Sequence, residues 1–281
     1  MSGLEDSVVS QLKLHSPDFY NSIFFAPADK RKALTALYAF AMELDKIPDS
    51  VSEPALGEIR LQWWRDTLEK CIKGDLSGNP LADTLGEVIV AHNLPIVRIQ
   101  EMIDARSFEL SDDIFPDDID LKIYLKKTYI SMIRLASLIL EKEQQPDEQQ
   151  ACEDVGLAYG YAMTLFRMPL DLSRGRIYLP QSMIDQHSVE LETLFQGKHT
   201  SELAKAIEEL GSLAIRHYGK FKKVERGISS KFSPAFLPVT LVQTYVSLLA
   251  DNQHDILREL VRINPLSRLW KYWRAAAFGT F

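Results

Sequence analysis

The chain has 281 residues, of which 46% are hydrophobic and 25% charged, and its formal net charge is −7. That length and apolar content suffice for a large buried core in one domain. The acidic balance excludes a general nucleic-acid binder, which needs a cationic excess to neutralise phosphates. Cys71 and Cys152 stand alone, with neither a C-x-x-C pair nor a histidine at ligand spacing, so neither a disulfide framework nor a zinc site is expected.

The first residues, Met1-Ser2-Gly3-Leu4-Glu5-Asp6, are acidic and have no apolar run, which is unlike a signal or transit peptide. A reducing cytoplasmic location is the expectation. From Asp29 onward almost every segment repeats apolar residues at three and four rather than alternating them, so the chain is expected to be all-α. Asp29 reads as the N-cap of a helix with Leu34, Leu37, Tyr38, Ala41 and Leu44 on one stripe and Pro48 at its end. Further helices are expected over Pro54–Lys73, Pro80–His92, Pro95–Leu110, Leu121–Glu143, Glu148–Arg167, Ser201–Lys223, Pro234–Ala250, His254–Ile263 and Leu266–Phe278. No fixed-period repeat and no low-complexity linker divides the chain, which is therefore taken as one domain over residues 1–281.

The uncharged run Phe232 to Ala250 approaches membrane-spanning length, yet its prolines, serines, threonines and glutamine favour a buried core helix. The acidic stretch Glu109, Asp112, Asp113, Asp117, Asp118 and Asp120 lacks the spacing and glycine of a Ca²⁺ loop and reads as a solvated connection into a helix N-terminus. His15, His92, His187, His199, His217 and His254 are scattered and read as surface or capping residues. Adjacent Trp63 and Trp64 point about 100° apart on a helix, with core packing the default for both.

Two segments carry chemistry. In Asp45-Lys46-Ile47-Pro48-Asp49, carboxylates at i and i+4 lie roughly 6 Å apart on one helix face, suited to clamp Mg²⁺. In Arg167-Met168-Pro169-Leu170-Asp171 the equivalent first position is a permanent cation, which repels a metal and meets phosphate directly. Asp45 and Asp49 fit either a metal pair or a helix-end cap with a solvated turn. Arg167 fits either a phosphate cluster with Arg174 and Arg176 or an internal ion pair with Asp171, Asp45 or Asp49.

Taken together, His15-Ser16-x-x-Phe19-Tyr20, Lys30-Arg31-x-Ala33-Leu34-x-Ala36-Leu37-Tyr38-Ala39-Phe40, Asp45-x-x-x-Asp49 and Arg174-Gly175-Arg176-Ile177-Tyr178-Leu179-Pro180 resemble the squalene/phytoene synthase family over most of the chain. The resemblance implies an isoprenoid-synthase helical bundle around a central apolar cavity, with two aspartate-rich helices binding a Mg²⁺ cluster that holds two prenyl diphosphates. It makes Asp45, Asp49 and Asp171 the metal candidates, and Arg167, Arg174, Arg176, Tyr178 and Tyr38 the diphosphate-binding candidates. Against the family pattern, Met42 stands for an arginine, Lys46 for a frequent aspartate, Met163 for an asparagine, Arg167 for an aspartate and Leu170 for a glutamate.

That pattern of loss, with Glu43-Leu44 before Asp45, Glu53 after Asp49, Arg60-Leu61-Gln62-Trp63-Trp64 and Leu165-Phe166-Arg167-x-Pro169, resembles the family branch that includes mitochondrial complex I assembly factor 6. Two functions fit. One is a non-catalytic or divergent factor that binds prenyl lipid or assembles a respiratory complex, with a protein or isoprenoid partner. The other is a Mg²⁺-dependent transferase that condenses two prenyl diphosphates head to head. The C-terminal stretch from Arg262 to Phe281 mixes Arg262, Arg268, Lys271 and Arg274 with Trp270, Tyr272, Trp273, Phe278 and Phe281. It suits either a cap on the bundle or peripheral contact with the inner membrane.

Overall fold

The structure is a computed structural model that describes residues 6–111, 113–142, 145–249, 255, 257–260 and 262–281. Its helices are α1 (Asp6–His15), α2 (Pro17–Ile23), α3 (Ala28–Lys46), α4 (Pro54–Ile72), α5 (Pro80–Ala91), α6 (Ile96–Asp104), α7 (Asp118–Leu125), α8 (Ser131–Leu140), α9 (Pro146–Phe166), α10 (Met168–Leu172), α11 (Gln181–His187), α12 (Leu191–Phe195), α13 (Ser201–Val224), α14 (Ser233–Phe236), α15 (Val242–Leu249) and α16 (Pro265–Phe278). No strand occurs among the described residues.

The centre of the bundle is α9 and the long α13, which pack along each other, with α8 and α15 against them and α3 packed on α8 and α5. Helix α9 buries nearly every residue from Ala151 to Leu165, and Gly156 and Gly160 explain how Ile130, and Leu125 with Tyr129, reach its backbone. A Cβ at Gly156 would lie 2.7 Å from Ile130 Cγ1 and 2.9 Å from Ile130 Cα. Ile130 ends a wide turn of π-helix, Lys126–Ile130, that joins α7 to α8. Such turns insert one residue into a helix and re-aim its side chains.

Helix α3 buries Leu34, Leu37, Tyr38 and Leu44, as the stripe predicts, but also Ala33, Ala36, Ala39, Phe40 and Met42 on its other sides. It is a core helix. Its N-cap is Pro27 and not Asp29, which sits in the first turn, where a carboxylate meets the positive end of the helix dipole. Lys46 is its last residue, so Asp45 lies on the final turn and Asp49 in the turn that follows.

The expected Pro95–Leu110 helix is α6 followed by a 3₁₀ turn over Ala105–Leu110. The run from Ser230 to Leu249 is segmented at Pro234 and Pro238 into short α and 3₁₀ pieces and is mostly buried, as a core segment should be. No helix appears in the described part of 254–263, against expectation: Leu257 and Arg258 form a turn and Glu259, Leu260, Arg262 and Ile263 are irregular. Asp112, Glu143, Ala250 and His254 lie outside the described residues. The short α1, α2, α10, α11 and α12, of five to ten residues, were not predicted as separate helices.

Trp64 is buried against Phe40, whereas Trp63 is 42% exposed. Asp117 caps α7 by accepting from the Ile119 and Asp120 backbone amides, as the acidic-connection reading requires. Glu109 departs from that reading, because it is buried and hydrogen-bonded. His217 likewise is no surface residue. It is buried between α9 and α13, 2.8 Å from Asp154 and stacked on Tyr161.

Candidate functional site

The two chemically loaded segments meet at one end of the bundle. Helix α3 delivers Asp45 on its last turn, and the break between α9 and α10 delivers Arg167, whose amide still bonds to the Met163 carbonyl. Asp171 lies on α10. After it the chain reverses: the Arg174 and Arg176 amides both donate to the Asp171 carbonyl, and Gly175 takes φ 76°, a left-handed conformation open to glycine at little cost. That reversal aims both Arg174 and Arg176 at Asp49.

The result is a closed ionic cluster. Asp45 Oδ2 accepts a very short hydrogen bond from Arg167 Nη1, and Asp45 Oδ1 accepts from Arg106 Nη1 at 2.9 Å. Arg106 also donates to Glu109 at 2.5 Å, and the Tyr124 hydroxyl donates to the same Glu109 oxygen at 2.6 Å. Asp49 is held by Arg174 on one oxygen at 2.6 Å and by Arg176 on the other at 3.0 Å. Arg176 donates in addition to the Pro48 carbonyl at 2.9 Å. Arg167 Nη2 stands 3.8 Å from Asp171 Oδ1, close enough to attract but too far to hydrogen-bond.

The electrostatics follow from these contacts. Burial pushes the Asp45 carboxyl up, but Arg167 and Arg106 outweigh it and hold the group below its ordinary range. Asp171 shows the opposite balance. Burial dominates, Arg167 offsets only part of it, and the carboxyl is pushed up to about 7. Burial lowers the affinity of Arg106 and Arg167 for their protons, yet the surrounding carboxylates reverse this and both are held cationic. Desolvation raises the Tyr124 and Tyr178 phenols well above their usual range, so both stay neutral.

Seven of the eight candidate residues are thus brought together: Asp45, Asp49, Asp171, Arg167, Arg174, Arg176 and, lining a small pocket beside them, Tyr178. The pocket, between Thr164, Met168, Asp171, Arg176, Tyr178 and Leu194, holds about 10 Å³, near the minimum for one water. Tyr38 is elsewhere. It is fully buried against Phe19 at a ring separation of 4.9 Å, and its hydroxyl has no hydrogen-bond partner among the described residues. Met42 and Met163, at positions where the family places polar groups, are also buried in the core.

Arg106, Glu109 and Tyr124 complete the cluster and went unflagged as site residues in the sequence. The one signal was an Arg–Glu pair at i, i+3, which is weak because most such pairs sit on solvated faces and the same segment carries another, Arg98–Glu101. A second buried hub lies around Asp18. It accepts from the Tyr159 and Tyr245 hydroxyls at 2.8 and 2.7 Å, and faces Arg268 of α16 at 2.6 Å.

A Mg²⁺ cluster needs several free oxygen ligands in near-octahedral array. Both oxygens of Asp45 and both of Asp49 are engaged by guanidinium groups, and Asp171 holds its proton near neutrality. No three His, Cys, Asp or Glu side chains converge as a metal's ligand set among the described residues. As placed, these side chains do not fit the metal cluster that the family's catalysts use.

An all-helical bundle whose α3 end and α9–α10 break face each other with aspartate-type motifs defines the class, and the chain belongs to the squalene/phytoene synthase family, which it matches over residues 12–268. Among curated proteins it is similar to the NADH dehydrogenase (ubiquinone) complex I assembly factor 6 of Bos taurus, 28% identical over 97% of this chain and 83% of that protein. It is also similar to the 15-cis-phytoene synthase of Synechococcus elongatus, 24% identical over 87% of this chain and 83% of that enzyme. The fold is that of the squalene synthase HpnC from Alicyclobacillus acidocaldarius, with a TM-score of 0.75 over 87% of this chain and 92% of that one at 18% identity.

Proposed function

We propose that this chain is a non-catalytic member of its family that works as an assembly-type factor for a respiratory complex. The observation that carries this is the Asp45–Arg167 ion pair, closed on its other side by Arg106. A cation fixed to the protein occupies the place where a metal would join the first motif to the second. Asp49 is neutralised in the same way by Arg174 and Arg176, so the arginines that could bind a diphosphate are already engaged with carboxylates. The resemblance to complex I assembly factor 6 supports the more specific role.

The test has two arms. Purified protein incubated with Mg²⁺, NADPH and radiolabelled farnesyl or geranylgeranyl diphosphate is expected to yield no extractable hydrocarbon or alcohol. In the organism that encodes it, deletion of the gene is expected to lower assembled complex I on native gels, with restoration by the wild-type chain. A Mg²⁺-dependent product that disappears in Asp45→Ala would overturn the non-catalytic assignment. Normal complex I after deletion would overturn the assembly role.

The surviving Asp45/Asp49 spacing favours a second function, a divergent Mg²⁺-dependent prenyltransferase. It would require Arg167 and Arg106 to release Asp45 when substrate arrives. The product assay separates the two.

A further inference from the structure

Helix α16 has a buried inner face and an exposed, apolar outer face. Arg268, Tyr272 and Ala275 form the inner face and are buried. That face is pinned: Arg268 meets Asp18, and the Tyr272 hydroxyl donates to the Asp18 carbonyl at 3.2 Å. The outer face carries Leu266, Leu269, Trp270 and Trp273, exposed by 76, 40, 61 and 48%, with Phe278, 66% exposed, at the helix end. The two indoles stack at 5.1 Å, and Trp273 meets Phe278 edge-on at 5.8 Å, so the outer aromatics form one continuous patch. Large side chains left in water at this density mark a contact surface rather than a solvated one.

The charge around the patch selects the occupant. From Leu260 to Phe281 the sequence has no aspartate or glutamate, although the whole chain has a net charge of −7. Arg262, Lys271 and Arg274 make no ion pair among the described residues, and Lys271 and Arg274 lie along one edge of the apolar face. Burial and then the neighbouring Arg274 pull the Lys271 ammonium down from its usual range, which fits cations set side by side with no counter-charge. Indole rings on a short helix edged by unpaired cations match the interface of an anionic bilayer, where tryptophan is favoured and basic residues meet headgroups.

We propose that the outer face of α16 is a membrane-docking surface, laying Trp270, Trp273 and Leu266 into the headgroup region of an anionic bilayer with Lys271 and Arg274 against lipid phosphates. Because the inner face holds the helix on Asp18, docking requires no unfolding of the bundle. The inference does not depend on the function proposed above.

The test is flotation of the full chain with vesicles of phosphatidylcholine alone or with 30% phosphatidylglycerol, at low and high salt. Binding to the anionic vesicles that weakens with salt is expected, with tryptophan fluorescence quenched by brominated lipid. Trp270→Ser/Trp273→Ser is expected to reduce bound protein at least about tenfold, and Lys271→Glu/Arg274→Glu by a similar factor on anionic vesicles only. All four positions are largely outside the core, so far-UV circular dichroism and thermal midpoint should not change. Absence of flotation, or flotation that both double variants retain, would overturn the proposal. So would a concentration-dependent dimer in sedimentation that the tryptophan variant disperses while vesicles fail to bind, since a second copy would then be the occupant.

Discussion

If Arg167 stands in for a metal, the Asp45–Arg167 pair should hold the two halves of the mouth together and show energetic coupling. Unit charges about 4 Å apart at an effective dielectric near 20 attract by about 4 kcal/mol. Side-chain exposures of 21% for Arg167 and 32% for Asp45 admit solvent and reduce this. Arg106, which remains on the other Asp45 oxygen, reduces it again. Arg167→Met is therefore expected to cost about 2 kcal/mol, and Asp45→Asn about as much, because it leaves Arg167 without its hydrogen-bonded carboxylate while Arg106 keeps only Glu109. The double variant should be less damaged than the sum by about 1–2 kcal/mol. Urea unfolding followed by circular dichroism at a single pH would give all four corners of the cycle. Additivity within about 0.5 kcal/mol would refute the idea that this pair replaces a metal bridge.

Three further outcomes follow from the same geometry. The folded Asp171 carboxyl keeps its proton up to about pH 7, while an unfolded one loses it near 4, so stability is lost as pH rises between those values. Asp171→Asn should therefore be neutral at pH 4 and stabilising above pH 7, by up to about 4 kcal/mol, which thermal midpoints across pH would reveal; an equal shift at both pH values would count against it. Wild-type thermal midpoint should not respond to 10 mM Mg²⁺ or to EDTA, whereas Arg167→Asp, which restores a carboxylate beside Asp171 and opposite Asp45, should gain a Mg²⁺-dependent rise by linkage. Gly156→Ala should destabilise by about 1–3 kcal/mol, because its Cβ meets the Ile130 backbone, which cannot rotate away; an unchanged denaturation midpoint would show that the π-turn yields.

The fold was legible because its signals are local. Helical periodicity and the prolines that open α4 and α5 act within a turn or two, whereas α9 starts at Pro146, two residues before the expected Glu148. The site was legible in part for the same reason, since Asp45, Asp49, Arg167, Arg174 and Arg176 stand in recognisable spacings. The Arg167–Asp45 pair was one of the alternatives the sequence left open, but that Arg106 reaches Asp45, or that Arg176 reaches Asp49 and Pro48, has no sequence signal across 61 to 128 residues. Glu109 was misjudged because its neighbours Asp113 to Asp120 are solvated, and burial of one acid in an acidic run depends on packing against Tyr124 and Arg106. The described part of 254–263 is not helical although Leu257 and Ile263 are buried, and periodicity over only ten residues is too short to impose a helix by itself. Tyr38 has the family spacing, but its ring turns into the aromatic core beside Phe19.

The charges at the mouth join the α3 end to the α9–α10 break through side chains. Arg106, Arg167, Arg174 and Arg176 face Asp45, Asp49 and Glu109, while Asp171 is largely neutral below pH 7. Below about pH 7 the cluster is therefore one positive charge in surplus, and a divalent cation entering it would meet repulsion as well as five occupied carboxylate oxygens. In a metal-bridged mouth the cohesion between α3 and α10 comes and goes with exchangeable ions. Here it is covalently attached to the chain, so the end of the bundle stays closed at any ionic composition that leaves the arginines paired. A mouth arranged in this way holds α3 against the α9–α10 break through the chain's own side chains.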